Sequence, residues 1–214
     1  MLKSALVLGP SGIGKAHLRV LANFGVKNIY LKGKNFKSNR LDFLGLNKNS
    51  KTNFHNLKSL NKLKKKIQVS SICTPVEKHL SHLLHLKKIC NRIIVEKPFI
   101  WNFKKNNYKI SKNILNKKSS HKIFINLPMV SLADQLVKKE KIKKINDFKF
   151  NYFTAGKQNY NNIAIDLLPH AISFLLTINK KYKKIKIIKI INKKNSWRCD
   201  IIIDKCNCHF NFIQ

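Results

Sequence analysis

The chain has 214 residues, 43% of them hydrophobic, enough to bury one large core or a medium core with a small companion. No run of eighteen apolar residues occurs, which excludes a helical membrane span, and 44 Lys+Arg against 9 Asp+Glu give a formal net charge of +35. Such a surface attracts polyanions, but the lysines spread over the whole chain and no nucleic-acid-binding signature accompanies them, so a solvated basic surface is expected and nucleic acid is not the expected partner.

In chain order, residues 4–8 form a short continuous apolar run, as in a strand buried on both faces. The run ends in a glycine turn and not in a small-residue cleavage site, so a first strand is expected there instead of a signal peptide. Residues 13–24 carry Ile13, Ala16, Val20, Leu21 and Phe24 at helical spacing, and Gly25 follows as a C-cap. A strand is expected at 28–31, whereas 33–56 is polar and has no readable pattern. A short basic helix at 57–66 and a strand at 67–73 come next. Then follow a helix at 76–88, with Val76, Leu80, Leu83, Leu84 and Lys87 facing inward, and a strand at 92–95. A helix at 102–116 and a strand at 122–126 complete an alternation that predicts a parallel α/β sheet.

After residue 126 the rhythm changes. A helix at 132–141, a strand at 147–153, an apolar helix at 161–178 and antiparallel strands at 185–191, 198–204 and 208–213 predict an α+β companion. The expected division is therefore 1–126 and 127–214. The five cysteines form no even framework, so reduced thiols in a cytoplasm are expected. Cys206-x-Cys208-His209 matches no common zinc spacing. Two cysteines two apart in a strand simply share a face, and no metal is expected.

The turn Gly9-Pro10-Ser11-Gly12-Ile13-Gly14-Lys15 has two parses. Aligned on Gly9 and Gly14 it is a Rossmann dinucleotide fingerprint with Ser11 at the middle glycine. Gly9 makes the tight turn, Ser11, Gly12 and Ile13 lead into the helix whose N-terminus faces a pyrophosphate, and Gly14 permits close packing. The same residues spell a P-loop, but Ala16 stands where that motif needs a Ser or Thr for Mg²⁺. The acid that reads an NAD ribose is absent after the second strand, where Tyr30-Leu31-Lys32-Gly33 stands. Lys32 suits a 2′-phosphate, so NADP is expected over NAD.

Further along stand Thr74-Pro75-Val76-Glu77-Lys78-His79, Glu96-Lys97-Pro98 and Asp166-Leu167-Leu168-Pro169-His170, with Gly14-Lys15-Ala16-His17 closing the first loop. These four ordered segments resemble motifs of the glucose–fructose oxidoreductase/inositol dehydrogenase/MocA family, and the similarity covers nearly the whole chain. The resemblance implies an N-terminal Rossmann doubly wound parallel sheet, followed by a small α+β domain with an open, mainly antiparallel sheet that is shorter than usual for the family. It implies an NAD(P)-dependent oxidoreductase moving a hydride between the nicotinamide and a sugar or nucleotide-sugar, in surface-carbohydrate synthesis by analogy. Thr74, Pro75, His79 and Glu96 would lie along the cofactor, and Lys97 and His170 would handle the substrate proton. Asp166 would orient His170 or a second hydroxyl, and Tyr160 would touch substrate. The second domain would serve substrate binding and a homo-oligomer interface.

The residue types fit that chemistry. Lysine after a buried strand exchanges protons more readily when partly desolvated. Asp166 and His170, four apart, share a helix face. The competing reading makes Asp166 a helix N-cap and His170 a satisfied interfacial histidine. His17, His82 and His85 fall on helices and are expected to be structural or exposed. Two other functions stand beside the enzyme: a decayed nucleotide-binding or scaffold member of the same fold, and a basic nucleic-acid-binding protein.

Overall fold

The computed structural model describes residues 2–33, 51–63, 66–100, 109–110, 112–114, 122–155, 162–179 and 182–214. The chain forms two compact units, Met1–Asn126 and Leu127–Gln214. No helix among the described residues is long and apolar enough to cross a membrane.

The first unit contains β1 (Ser4–Leu8), α1 (Ile13–Asn23), β2 (Asn28–Lys32), β3 (Asn53–Asn56), β4 (Ile67–Ile72), α2 (His79–Leu86), β5 (Cys90–Glu96) and β6 (Lys122–Asn126). The strands form one parallel sheet in the order β3-β2-β1-β4-β5-β6. The doubly wound fold expected from the sequence is therefore present. Ala5, Leu6, Val7 and Leu8 are at most 1% exposed, as required of a central strand covered on both faces. Alternation sends Ala5 and Val7 toward Leu18, Leu21 and Ala22 of α1, and Leu6 and Leu8 toward Leu83 and Leu86 of α2.

Several local expectations are corrected. On α1 the buried residues are Gly14, Leu18, Leu21 and Ala22, whereas Ile13, Val20 and Phe24 are 51%, 53% and 75% exposed. The first turn of the helix lies so close to the Gly9 carbonyl that only a glycine fits at 14, and this turns the Gly14, Leu18, Leu21 and Ala22 side to the sheet. Gly25 follows the Phe24 C-cap with φ of 71°, the left-handed conformation expected of it. Among the described residues of the basic helix expected at 57–66 stands a 3₁₀ turn, Leu60–Lys62, whose N-cap Ser59 accepts through its side chain from the Asn61 N–H.

The helix after Pro75 opens with a 3₁₀ turn, Val76–Lys78; of the expected stripe Leu83 is buried and Leu80 packs against the core, whereas Leu84 is exposed and His79 and Leu86 are buried in addition. Strand β3 lies in the stretch the sequence left unassigned. It is an edge strand with a mostly exposed, polar sequence, so hydrophobic periodicity cannot reveal it. Of the helix expected over 102–116, only 109–110 and 112–114 fall among the described residues, and these are helical.

The second unit contains α3 (Pro128–Glu140), β7 (Asp147–Phe153), α4 (Ile163–Ile178), β8 (Ile185–Lys193), β9 (Ser196–Ile203) and β10 (Cys206–Ile213). Its sheet runs β7-β10-β9-β8, antiparallel except for the β7–β10 pair. Leu167, Ala171 and Leu175 of α4 close one face against Trp197, Ile201, Phe210 and Phe212. The other face carries polar pairs: His209 meets Asp200 at 2.8 Å, and the Arg198 guanidinium donates to Asn211 at 2.9 Å. Cys206 and Cys208 share the core-facing side with sulfurs 3.7 Å apart, and His209 points from the opposite side.

Candidate functional site

Strand order reverses between β1 and β4, whose connections leave the sheet in opposite directions. In open α/β sheets ligands bind at the carboxyl ends of strands at such a switch point. Here the ends are the Gly9–Gly12 turn, the Cys73–Pro75 segment and the Glu96–Lys97 segment.

The turn is built on backbone proximity. Gly9 has φ of 79°, its N–H donates to the Lys32 carbonyl at 2.9 Å, and a Cβ on it would lie 2.6 Å from the Cys73 carbonyl oxygen. A Cβ on Gly14 would stand 2.0 Å from the Gly9 carbonyl oxygen. Gly12 is the N-cap of α1, with no atom within 4 Å of where its Cβ would be, and Ser11 is exposed. Helix α1 has no acidic residue in its first turn, so the positive end of its dipole is not neutralised from within. Ser11, Gly12 and Ile13 thus offer open space at a helix N-terminus, the arrangement that accepts a phosphate.

Thr74 and Pro75 follow β4 directly, beside Gly9. The Thr74 hydroxyl lies 3.1 Å from His82 Nδ1. Burial, followed by the charges of Lys78, His79 and His85, lowers the His82 pKa and favours the neutral ring as acceptor. His79, 1% exposed, brings Nε2 to 2.7 Å from the Thr74 carbonyl and Nδ1 to 3.1 Å from the Pro98 carbonyl. One ring therefore ties the segment after β4 to the segment after β5.

Glu96 ends β5 and is 6% exposed. Its Oε1 accepts from His17 Nε2 at 2.7 Å and from the Asn126 amide. Burial pushes this carboxyl up, but the hydrogen bonds from His17 and Asn126, the charge of His17 and the Lys97 N–H outweigh it, leaving the group below its ordinary value. His17 Nδ1 meets the Ser71 hydroxyl at 3.1 Å, so α1, β4 and β5 are joined by one polar chain beneath the glycine turn. Cys73 adjoins it, and burial together with the Glu96 charge pushes its thiol up to about 12.

Lys97 follows Glu96 at the carboxyl end of the sheet and is half-buried. Lys32 ends β2 and donates its ammonium to the Lys58 carbonyl. On the second unit, α4 begins at Ile163 with Asn162 as N-cap, so Asp166 lies inside the first turn and does not cap the helix. His170, one turn on, is buried and stacks on Tyr152 with ring centroids 5.7 Å apart. Tyr160 lies outside the described residues. Sequence reasoning missed the His17–Glu96–Asn126 chain. Its signals were the Gly14-Lys15-Ala16-His17 segment of the resemblance and the place of His17 in a helix that otherwise buries small and apolar side chains.

No family model matches the chain, and no curated protein matches its sequence. Solved structures share its fold. The chain is similar to a dehydrogenase, WlbA, from Thermus thermophilus in complex with NAD, at 12% identity and a TM-score of 0.72, over 99% of this chain and 73% of that one. It is similar to the UDP-N-acetylglucosamine 3-dehydrogenase GnnA from Acidithiobacillus ferrooxidans at 12% identity and a TM-score of 0.72, over 99% and 69%. It is similar to the myo-inositol dehydrogenase from Lactobacillus casei in complex with NAD(H) and myo-inositol at 12% identity and a TM-score of 0.71, over 100% and 68%. Likeness at this identity is likeness of fold. The chain spans about two thirds of the length of such structures, from 65% to 73%.

Proposed function

We propose that the protein is a nicotinamide-dinucleotide-dependent oxidoreductase acting on a sugar or nucleotide-sugar alcohol or carbonyl, with NADP preferred. The observation that carries this reading is the glycine turn at the switch point: only a residue without Cβ fits at Gly9 and Gly14, and open space at Ser11–Gly12 lies against an unneutralised helix N-terminus. That cradle fits a pyrophosphate. The shared fold of dehydrogenases that bind NAD supports the same group.

Gly9, Ser11, Gly12, Ile13 and Gly14 would hold the pyrophosphate, and Thr74 and Pro75 would border the remainder of the cofactor. His79 and Glu96, both buried, would act by fixing the two segments that carry Thr74 and Lys97. The preference for NADP rests on Lys32-Gly33 ending β2, a cation where an NAD site carries a carboxylate. When bound, the nicotinamide supplies the hydride donor or acceptor. Lys97 and His170 would handle the proton of the alcohol or carbonyl, and Asp166 would orient His170 or hold a second hydroxyl. Met1–Asn126 is thus the proposed cofactor domain and Leu127–Gln214 the proposed substrate and dimerisation domain.

The test is a panel of sugars and sugar nucleotides incubated with purified chain and NADP or NAD, followed by reduced-nicotinamide absorbance. Turnover of at least one member, faster with NADP, is expected. Dinucleotide binding with no turnover of any member would leave a nucleotide-binding protein and sink the enzymatic part.

A further inference from the structure

We propose that His17, Cys73 and Glu96 form a binding site for one divalent ion of the zinc class. The ligand atoms of these three residues all lie within 4.8 Å of one another. They come from α1, from the end of β4 and from the end of β5, so the sheet itself brings them together. Imidazole nitrogen, thiolate sulfur and carboxylate oxygen are the donor types that zinc and cobalt accept, with metal–ligand bonds of about 2.0–2.3 Å. Three such donors around a tetrahedral ion stand about 3.5 Å apart, so modest side-chain adjustment closes the set and leaves a fourth position open.

Charge and outer contacts fit the same ion. A thiolate and a carboxylate balance two positive charges in a site where Glu96 is 6% exposed. A cation there relieves the cost of burying the carboxylate, which His17 and Asn126 now offset. Ser71, fully buried, lies 3.1 Å from His17 Nδ1, and its hydroxyl either donates or accepts. With the ring proton on Nδ1 and donated to Ser71, Nε2 is freed as a ligand, the outer contact that zinc-bound histidines characteristically make.

The binding step balances simply. The Cys73 S–H and His17 Nε2–H bonds break, metal–sulfur and metal–nitrogen bonds form, and the displaced protons pass to buffer, leaving the His17 ring with one proton, on Nδ1. The His17 Nε2–Glu96 hydrogen bond gives way to one bond from each residue to the ion, and no electron changes hands. Metal affinity therefore falls as pH falls. Cys206, Cys208 and His209 do not compete as a set, because His209 lies on the other face of its strand.

The experiment is a titration of the metal-free chain with Co²⁺, without dinucleotide, so its outcome is independent of the oxidoreductase reading. One equivalent is expected to give tetrahedral visible bands and a near-ultraviolet sulfur-to-cobalt charge-transfer band, both displaced by Zn²⁺. Cys73→Ser should abolish the charge-transfer band, while a Cys206→Ser/Cys208→Ser chain retains it. Ser71→Ala should weaken binding by about 10- to 100-fold, which covers the case in which Cys73→Ser fails to fold. No charge-transfer band in the unmodified chain overturns the proposal, as does a band that persists in folded Cys73→Ser or an affinity unchanged in Ser71→Ala.

Discussion

Gly14→Ala is expected to lower the melting temperature on the order of 10 °C and to cost dinucleotide binding about a hundredfold. The added methyl carbon would stand 2.0 Å from the Gly9 carbonyl oxygen, which belongs to the turn itself. Backbone cannot rotate aside as a side-chain tip does, so α1 must move off β1 or the turn must open. Overpacking of that kind costs about 3 kcal/mol. Gly25→Ala is the control. Gly25 also has positive φ, 71°, but nothing lies near its missing Cβ. It should lose about 1 kcal/mol of stability through backbone strain and leave binding untouched. Thermal unfolding and dinucleotide titration of both variants separate a damaged cradle from a merely weaker fold. Equal binding by Gly14→Ala and the unmodified chain would contradict the assignment of this turn.

Lys97→Ala is expected to lower turnover by about 10²- to 10⁴-fold with dinucleotide affinity nearly unchanged, the signature of a lost proton-transfer group. Lys97→Arg should fail to restore the rate, because a guanidinium keeps its charge but does not release its proton near neutral pH. The backbone of Lys97 contributes separately, since its N–H helps to hold the Glu96 carboxylate ionised. That contribution survives both substitutions. A Lys97→Arg enzyme that recovers full rate would make the residue a charge that positions substrate, and no longer a proton carrier.

How far the sequence discloses this molecule depends on the range of the interaction concerned. The turn from Gly9 to Gly14 is legible because positive φ at Gly9 and Gly12 and the close approach of Gly14 to the Gly9 carbonyl are demands made within the turn; the contact of Gly9 with the Cys73 carbonyl is not legible in the same way. The central strand is legible because burial on both faces leaves an unbroken apolar run from Ala5 to Leu8. Strand β3 is not, since an exposed edge made of Asn53, Phe54, His55 and Asn56 needs no hydrophobic pattern, only the ladder it forms with β2. The buried side of α1 is misread for a related reason. Ile13, Val20 and Phe24 look like a stripe, yet close approach to β1 selects Gly14, Leu18 and Ala22.

Of the candidate site, Thr74, Glu96 and Lys97 stand at strand ends where the sequence places strand ends. What no local pattern discloses is that His17 reaches Glu96, because the contact crosses from the first helix to the fifth strand and exists only once β4 has been inserted between β1 and β5. The same crossing sets Cys73 beside Glu96. The competing reading of Asp166 as a cap is set aside by the helix itself, which begins at Ile163 within the expected 161–178 and takes Asn162 as its N-cap.

The most direct measurement is a fluorescence titration of the unmodified chain with NADPH and NADH, with Mg²⁺–ATP as the control. The glycine turn and Lys32 predict saturable binding of NADPH, weaker binding of NADH and no response to Mg²⁺–ATP. Folded protein that binds neither dinucleotide would contradict the reading of the switch point as a nicotinamide-cofactor site.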